Sequence, residues 1–258
     1  MKTKYLFILL TGIMLLTLAL PTELNSQTTN FKGKTIKFPS LDGLEITADL
    51  YLADDASSNF IILFHQAGWS RGSYREIAPK LNTMGFNCVA LDQRSGNAVR
   101  EVKNETAARA KEKGLPTQYL DAYPDMQAAL NYVYKKYEPE LVLIWGSSYS
   151  AALSFVLADK NQELLDGMLA FSPGEYFKFE EKSISEFAKN LQMPVFVTSS
   201  RDEEKNWKGI YDVIPSKYKM SYVPDFDGYH GSRALWEVHE GYDKYWEKVT
   251  EFLNLYLK

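Results

Sequence analysis

Leu141-Val142-Leu143-Ile144-Trp145-Gly146-Ser147-Ser148-Tyr149-Ser150 starts as an unbroken apolar run and ends in a cluster of small residues with a serine at its centre. Branched apolar residues that do not alternate with polar ones suit a strand buried on both faces, as in a parallel sheet. The Ala151-Ala152-Leu153-Ser154-Phe155-Val156-Leu157 that follows suits a helix. Ser148 is therefore expected at a strand-to-helix turn. Such a turn is tight enough to demand small residues two before and two after the serine. It also holds the hydroxyl above the sheet, at the positive end of the next helix.

Gly146, Ser148 and Ser150 resemble the G-x-S-x-G nucleophile elbow of the α/β-hydrolase superfamily, with serine in place of the last glycine. Met193-Pro194-Val195-Phe196-Val197-Thr198 reads as a further buried strand and runs into Ser199-Ser200-Arg201-Asp202-Glu203-Glu204. This puts a carboxylate just past the strand's end, where the family carries its acid. Lys219-Met220-Ser221-Tyr222-Val223-Pro224 reads as another strand. It is followed by Asp225-Phe226-Asp227-Gly228-Tyr229-His230-Gly231-Ser232, where the family carries its base. The resemblance thus implies Ser148 as nucleophile, Asp202 as acid and His230 as base, in the Ser, acid, His order of α/β-hydrolases. Each has rivals. Ser147 sits one position early and points to the other side of the strand end. Asp225 and Asp227 lie beside His230 in sequence, and Glu203 neighbours the proposed site. His239 lies in Trp236-Glu237-Val238-His239-Glu240 with no strand before it.

Upstream, Asn59-Phe60-Ile61-Ile62-Leu63-Phe64 reads as a strand, and His65-Gln66-Ala67-Gly68-Trp69 resembles the family's His-Gly oxyanion loop, with Gln66 where glycine is usual. The resemblance implies that the backbone amides of Tyr149 and Ala67 are the two oxyanion donors, with His65 a structural histidine.

The chain has 258 residues, 45% apolar and 24% charged, enough to bury the core of one domain of this kind. A net charge of -4 without a concentrated basic face argues against nucleic acid as a partner. With one cysteine, Cys88, no intrachain disulfide can form, and the residue reads as a small hydrophobe of a buried strand. The three histidines are scattered and no second thiol is present, so neither a metal nor another cofactor is expected.

Lys2 and Lys4, an uncharged stretch over residues 5–20, Pro21 and a polar run to Thr28 have the three regions of a secretory signal. The apolar stretch is short against the about 20 residues of a membrane span, and an uncleaved anchor is the alternative reading. Residues 1–27 are accordingly expected to be a signal peptide and residues 28–258 an exported domain, periplasmic or extracellular, with no stable membrane partner.

Within that domain, residues 35–39 and 45–52 around Asp42-Gly43 suggest an opening antiparallel hairpin. Strands then alternate with helices, the latter near residues 74–84, 120–137, 184–191 and 242–257. The succession is that of the α/β-hydrolase fold: a mostly parallel central sheet with helices on both faces and a minimal lid. The segment where relatives insert a lid, residues 172–190, is short, so an open site bordered by the aromatics Trp69, Tyr149, Tyr176 and Tyr229 is expected. Residues 94–114 are strongly charged and read as a solvated loop or exposed helix. The chain is similar to the small lidless serine esterases around the dienelactone hydrolases. This implies cleavage of a small-molecule carboxylic ester through an acyl-enzyme on Ser148. The alternatives are a peptidase or thioesterase on the same fold, and a non-catalytic binding protein on a hydrolase scaffold.

Overall fold

Burial on both faces explains why the apolar runs do not alternate. A computed structural model describes residues 33–53 and 57–256. The expected signal peptide lies outside the described residues. The strands are β1 (Lys34–Pro39), β2 (Glu45–Tyr51), β3 (Asn59–Phe64), β4 (Asn87–Leu91), β5 (Ala98–Val99), β6 (Val102–Lys103), β7 (Leu141–Ser147), β8 (Gly167–Phe171), β9 (Val195–Thr198) and β10 (Lys219–Tyr222). Eight of them form one sheet in the order β1-β2-β4-β3-β7-β8-β9-β10, and β5 and β6 form a separate small ribbon. The pairs β1–β2, β2–β4 and β5–β6 are antiparallel and the others parallel. All residues of β4, β8 and β9 are buried, as are all but the first of β3 and β7. Cys88 lies inside β4 as expected, and burial pushes its thiol well above the usual range.

The helices are α1 (Ile77–Thr83), α2 (Glu105–Glu112), α3 (Tyr123–Tyr137), α4 (Tyr149–Lys160), α5 (Ile184–Ala188), α6 (Glu204–Asp212) and α7 (Tyr242–Leu253). Helices α3 to α6 bury Met126, Leu130, Phe155, Phe187 and Trp207 in one core cluster. On the other cluster α1 and α7 bury Leu81, Trp246, Val249 and Leu253. The sheet order places the site. The chain leaves β3 to one side for β4 and returns on the other side for β7. The carboxyl ends of β3 and β7, paired through Phe64 and Gly146, therefore meet at the point where connections diverge. In open α/β sheets the crevice at this point receives ligands.

Within the segment 94–114, Arg94 departs from the expected solvated stretch, because it is paired with carboxylates distant in sequence. Arg94 is buried, with Nη2 2.7 Å from Asp125 and Nη1 2.7 Å from Asp42. Ser40 Oγ also donates to Asp125. Arg71 is likewise held by Asp49, Asp92 and Glu105. Burial pushes the Asp125 carboxyl up, and Arg94 opposes that push. Arg94→Ala is therefore expected to destabilise the protein by about 3–5 kcal/mol, because a carboxylate is left buried without its counter-ion. Denaturant unfolding checks this against the exposed Lys111→Ala, expected within about 0.5 kcal/mol of the parent.

Candidate active site

Ser148 joins β7 directly to α4 at φ 60°, ψ -125°, a conformation that costs a non-glycine residue on the order of 1–3 kcal/mol. The turn is held on all sides. The Ser148 amide donates to Phe171 O at 2.7 Å, and the Ser148 carbonyl accepts from Ala151 N at 2.9 Å. A Cβ on Gly146 would stand 2.5 Å from Ala151 Cα, so only glycine fits there. Ser150, where the motif has glycine, has its own use. Its hydroxyl accepts from Ser147 N at 3.0 Å and lies 2.8 Å from Phe64 O, tying the elbow to the end of β3.

His230 sits in the loop after β10, and this loop is fastened to the elbow. Ser232 N donates to Ser147 Oγ at 2.9 Å, and Trp145 Nε1 donates to Ser232 Oγ at 2.8 Å. Ser147 is thereby buried and engaged, whereas Ser148 is partly exposed. Gly231 follows at φ 70°, and a Cβ there would meet Ser147 Oγ at 2.5 Å.

The carboxylate that meets His230 is Glu203, not the expected Asp202. His230 Nδ1 is hydrogen-bonded to Glu203, and Asp202 is exposed with its Oδ1 accepting from Ser200 Oγ at 2.7 Å. The cause is local. Ser200 caps a 3-10 turn, Arg201–Glu203, through a capping box with Glu203, and the chain continues into α6. With about three residues per turn, neighbouring side chains diverge by roughly 120°. Glu203 faces inward to His230 and Asp202 faces outward. The Ser200-x-x-Glu203 spacing, a capping-box signature, is the sequence signal that marks Glu203. Ser172 Oγ donates to Glu203 Oε2 at 2.7 Å. Burial acts to raise the Glu203 carboxyl, but the hydrogen bonds from His230 and Ser172 prevail and hold it down at about 2. The other rivals are engaged elsewhere: Asp225 with Lys244 at 3.1 Å, and Asp227 with Arg201 at 2.5 Å.

The remaining histidines are not placed as bases. His239 stacks on Tyr229, ring centroids 3.8 Å apart. His65 is fully buried, and burial lowers its pKa to about 4. Its Nδ1 meets Gln66 O at 2.8 Å, and its Nε2 accepts from Gln93 N at 3.1 Å. This pattern assigns the neutral tautomer with the proton on Nδ1. Asn104, the cap of α2, adds a contact to His65 Nε2 at 3.1 Å and donates to Trp69 O at 3.2 Å. The charged segment thus braces the loop 65–69.

In that loop, the Ala67 amide donates to no protein acceptor among the described residues. The Tyr149 amide opens α4, where first-turn N–H groups lack intrahelical acceptors. The Tyr149 ring is buried, stacked on Tyr119, and its hydroxyl accepts from Gln93 Nε2 at 3.0 Å, so only its backbone is available to a ligand. Trp69 is half-buried and stacks on Trp236. Tyr176 is 40% exposed, donates to Ser172 O at 2.8 Å and has its phenol near the Ser148 side chain. Burial, aided by the negative charge of Glu203, pushes its phenol up to about 12, so it remains protonated at neutral pH. An open cleft of about 550 Å³ is lined by Asp202, Glu203, Tyr229, His230 and Arg233, and among the described residues its lining does not include Ser148, Trp69 or Tyr176. A larger hollow of about 640 Å³ between β1 and α3 is lined by no histidine and no carboxylate. Among the described residues no group of three or more His, Cys, Asp or Glu side chains is placed to hold a metal ion.

A family model described as "Serine aminopeptidase, S33" matches residues 55–253. No curated protein matches the chain. Among solved structures, an esterase of Pyrococcus furiosus superposes with a TM-score of 0.67 at 16% identity, covering 88% of this chain and 94% of that one. A thermostable carboxyl esterase of Bacillus coagulans gives 0.67 at 13% identity, covering 88% and 99%. A dienelactone hydrolase of Anabaena variabilis gives 0.66 at 12% identity, covering 88% and 100%.

Proposed function

The chain belongs to the α/β-hydrolase family described as serine aminopeptidase, S33, and from that premise we propose that it is an exported serine hydrolase cleaving small-molecule carboxylic esters with Ser148, His230 and Glu203. The observation that carries this reading is a histidine ring bonded to an ionised carboxylate, in a loop fastened to the residue before a strained serine. Glu203 accepts the Nδ1 proton and leaves Nε2 of His230 free as the base. His230 takes the Ser148 hydroxyl proton as Oγ attacks the carbonyl carbon. The amides of Ala67 and Tyr149 hold the resulting oxyanion, each donor worth roughly 3 kcal/mol. Collapse expels the alcohol, which takes the proton from His230. Water, losing a proton to the same nitrogen, then attacks the acyl-enzyme and releases the carboxylic acid and Ser148.

Aminopeptidase action is the second reading, favoured by the description of the family. It calls for a free carboxylate to hold the substrate's ammonium. Glu203 is engaged by His230 and Asp227 by Arg201, whereas Asp202, exposed and bonded to Ser200 alone, is the carboxylate an ammonium group could use. A serine-reactive phosphonate should label the protein at Ser148. A panel of matched esters, amides and thioesters should show esters hydrolysed fastest. Absence of labelling would leave a non-catalytic binding protein, and faster release from an N-terminal aminoacyl amide would install the peptidase reading.

A further inference from the structure

Ser172, the residue after β8, is buried and adopts φ 53°, a left-handed conformation uncommon for a residue with a side chain. Were β8 to continue, this side chain would point to a face of the sheet. The turn instead brings it to the junction of the candidate acid and base. Its hydroxyl donates to Glu203 Oε2 at 2.7 Å and accepts from Gly231 N, the amide following His230, at 2.8 Å. Its backbone is fixed as well, the amide donating to Thr198 O at 2.7 Å and the carbonyl accepting from Tyr176 Oη at 2.8 Å. The preceding carbonyl, Phe171 O, receives the Ser148 amide. One residue therefore contacts the acid, the base loop and the tyrosine beside the nucleophile, and borders the nucleophile's anchor.

We propose that Ser172 is a positioning residue that sets the acid and the base relative to each other, an inference resting on the Ser148–His230–Glu203 reading. The directions of its two bonds are complementary. Gly231 N–H occupies a lone pair of the hydroxyl, so the hydroxyl proton must go to Glu203, which leaves Oε1 to face Nδ1 of His230. Without the hydroxyl, the carboxylate can rotate toward solvent, and the His230–Gly231 peptide loses its acceptor.

The test compares Ser172→Ala with Ser172→Gly in the full chain. Glycine accepts φ 53° without strain, so a folding defect confined to the alanine variant does not obscure the result. Both are expected to lose about 10–100-fold in kcat with KM within about twofold, the scale of a misplaced catalytic group. In both, the low-field proton resonance of the His230 Nδ1–H···Glu203 bond should broaden or move upfield. Glu203→Gln serves as the reference that removes the resonance. Parent-like kcat and an unchanged resonance in both variants would overturn the proposal. So would loss in alanine alone, which would assign the effect to the backbone. The resonance requires only the His230–Glu203 pair, so it reports on Ser172 even if Ser148→Ala were to keep its activity and sink the triad reading.

Discussion

Ser148→Ala is expected to lower kcat for ester hydrolysis by roughly 10⁵- to 10⁶-fold and to abolish phosphonate labelling, with the fold unchanged. The hydroxyl is partly exposed, and the bonds that hold the elbow belong to its backbone and to Ser150. Removing one oxygen therefore takes away the nucleophile and little else. Ser147→Ala is the informative contrast. Its hydroxyl accepts from Ser232 N and helps to fasten the histidine loop. The variant should lose about 1 kcal/mol of stability and a modest fraction of activity, while still reacting with the phosphonate. Tryptic mapping of the label distinguishes the two serines. A label on Ser147, or full activity in Ser148→Ala, would show that the chemistry lies elsewhere.

The elbow was legible because its demands are local. Gly146 has no room for a Cβ, the strand before it is buried on both faces, and α4 begins without a linker, so spacing and composition suffice. Ser150, a departure from the motif, keeps the motif's small size and adds a bond to β3 that the pattern does not encode. The side chains around the site were less legible because their partners are remote in sequence. Arg94 reads as a surface charge until Asp125 and Asp42 are brought to it by α3 and the β1–β2 turn. Ser172 carries no motif, and its role exists only where β8, the acid turn and the histidine loop converge. Which carboxylate reaches His230 turns on a single residue of helical phase. Proximity to a strand end cannot resolve Asp202 from Glu203, because the turn that separates their directions begins only at Ser200.

Glu203→Gln should lower kcat by about 10⁴-fold with the fold retained, whereas Asp202→Asn should remain within about twofold of the parent. The reason lies in the donors around the carboxylate. Oε2 receives the Ser172 hydroxyl at 2.7 Å and, more weakly, Ser200 N at 3.4 Å. The Ser172 hydroxyl is itself occupied by Gly231 N and has only a proton to offer. A carboxamide at position 203 must therefore turn its oxygen to Ser172 and its NH₂ to His230. Nδ1 then becomes an acceptor, and the ring proton moves to Nε2, the nitrogen that has to receive the proton of Ser148. Asp202 makes only the bond from Ser200, and its amide can keep it. The same substitution separates the two proteins in acid. Glu203 is held at about 2 against an ordinary 4.5. The stability it contributes is complete above 4.5 and is lost as the pH falls toward 2, so the gap in unfolding free energy between parent and Glu203→Gln should narrow over that range. Comparing kcat of the two variants decides the assignment: collapse in Asp202→Asn with a near-normal Glu203→Gln would return the acid to Asp202.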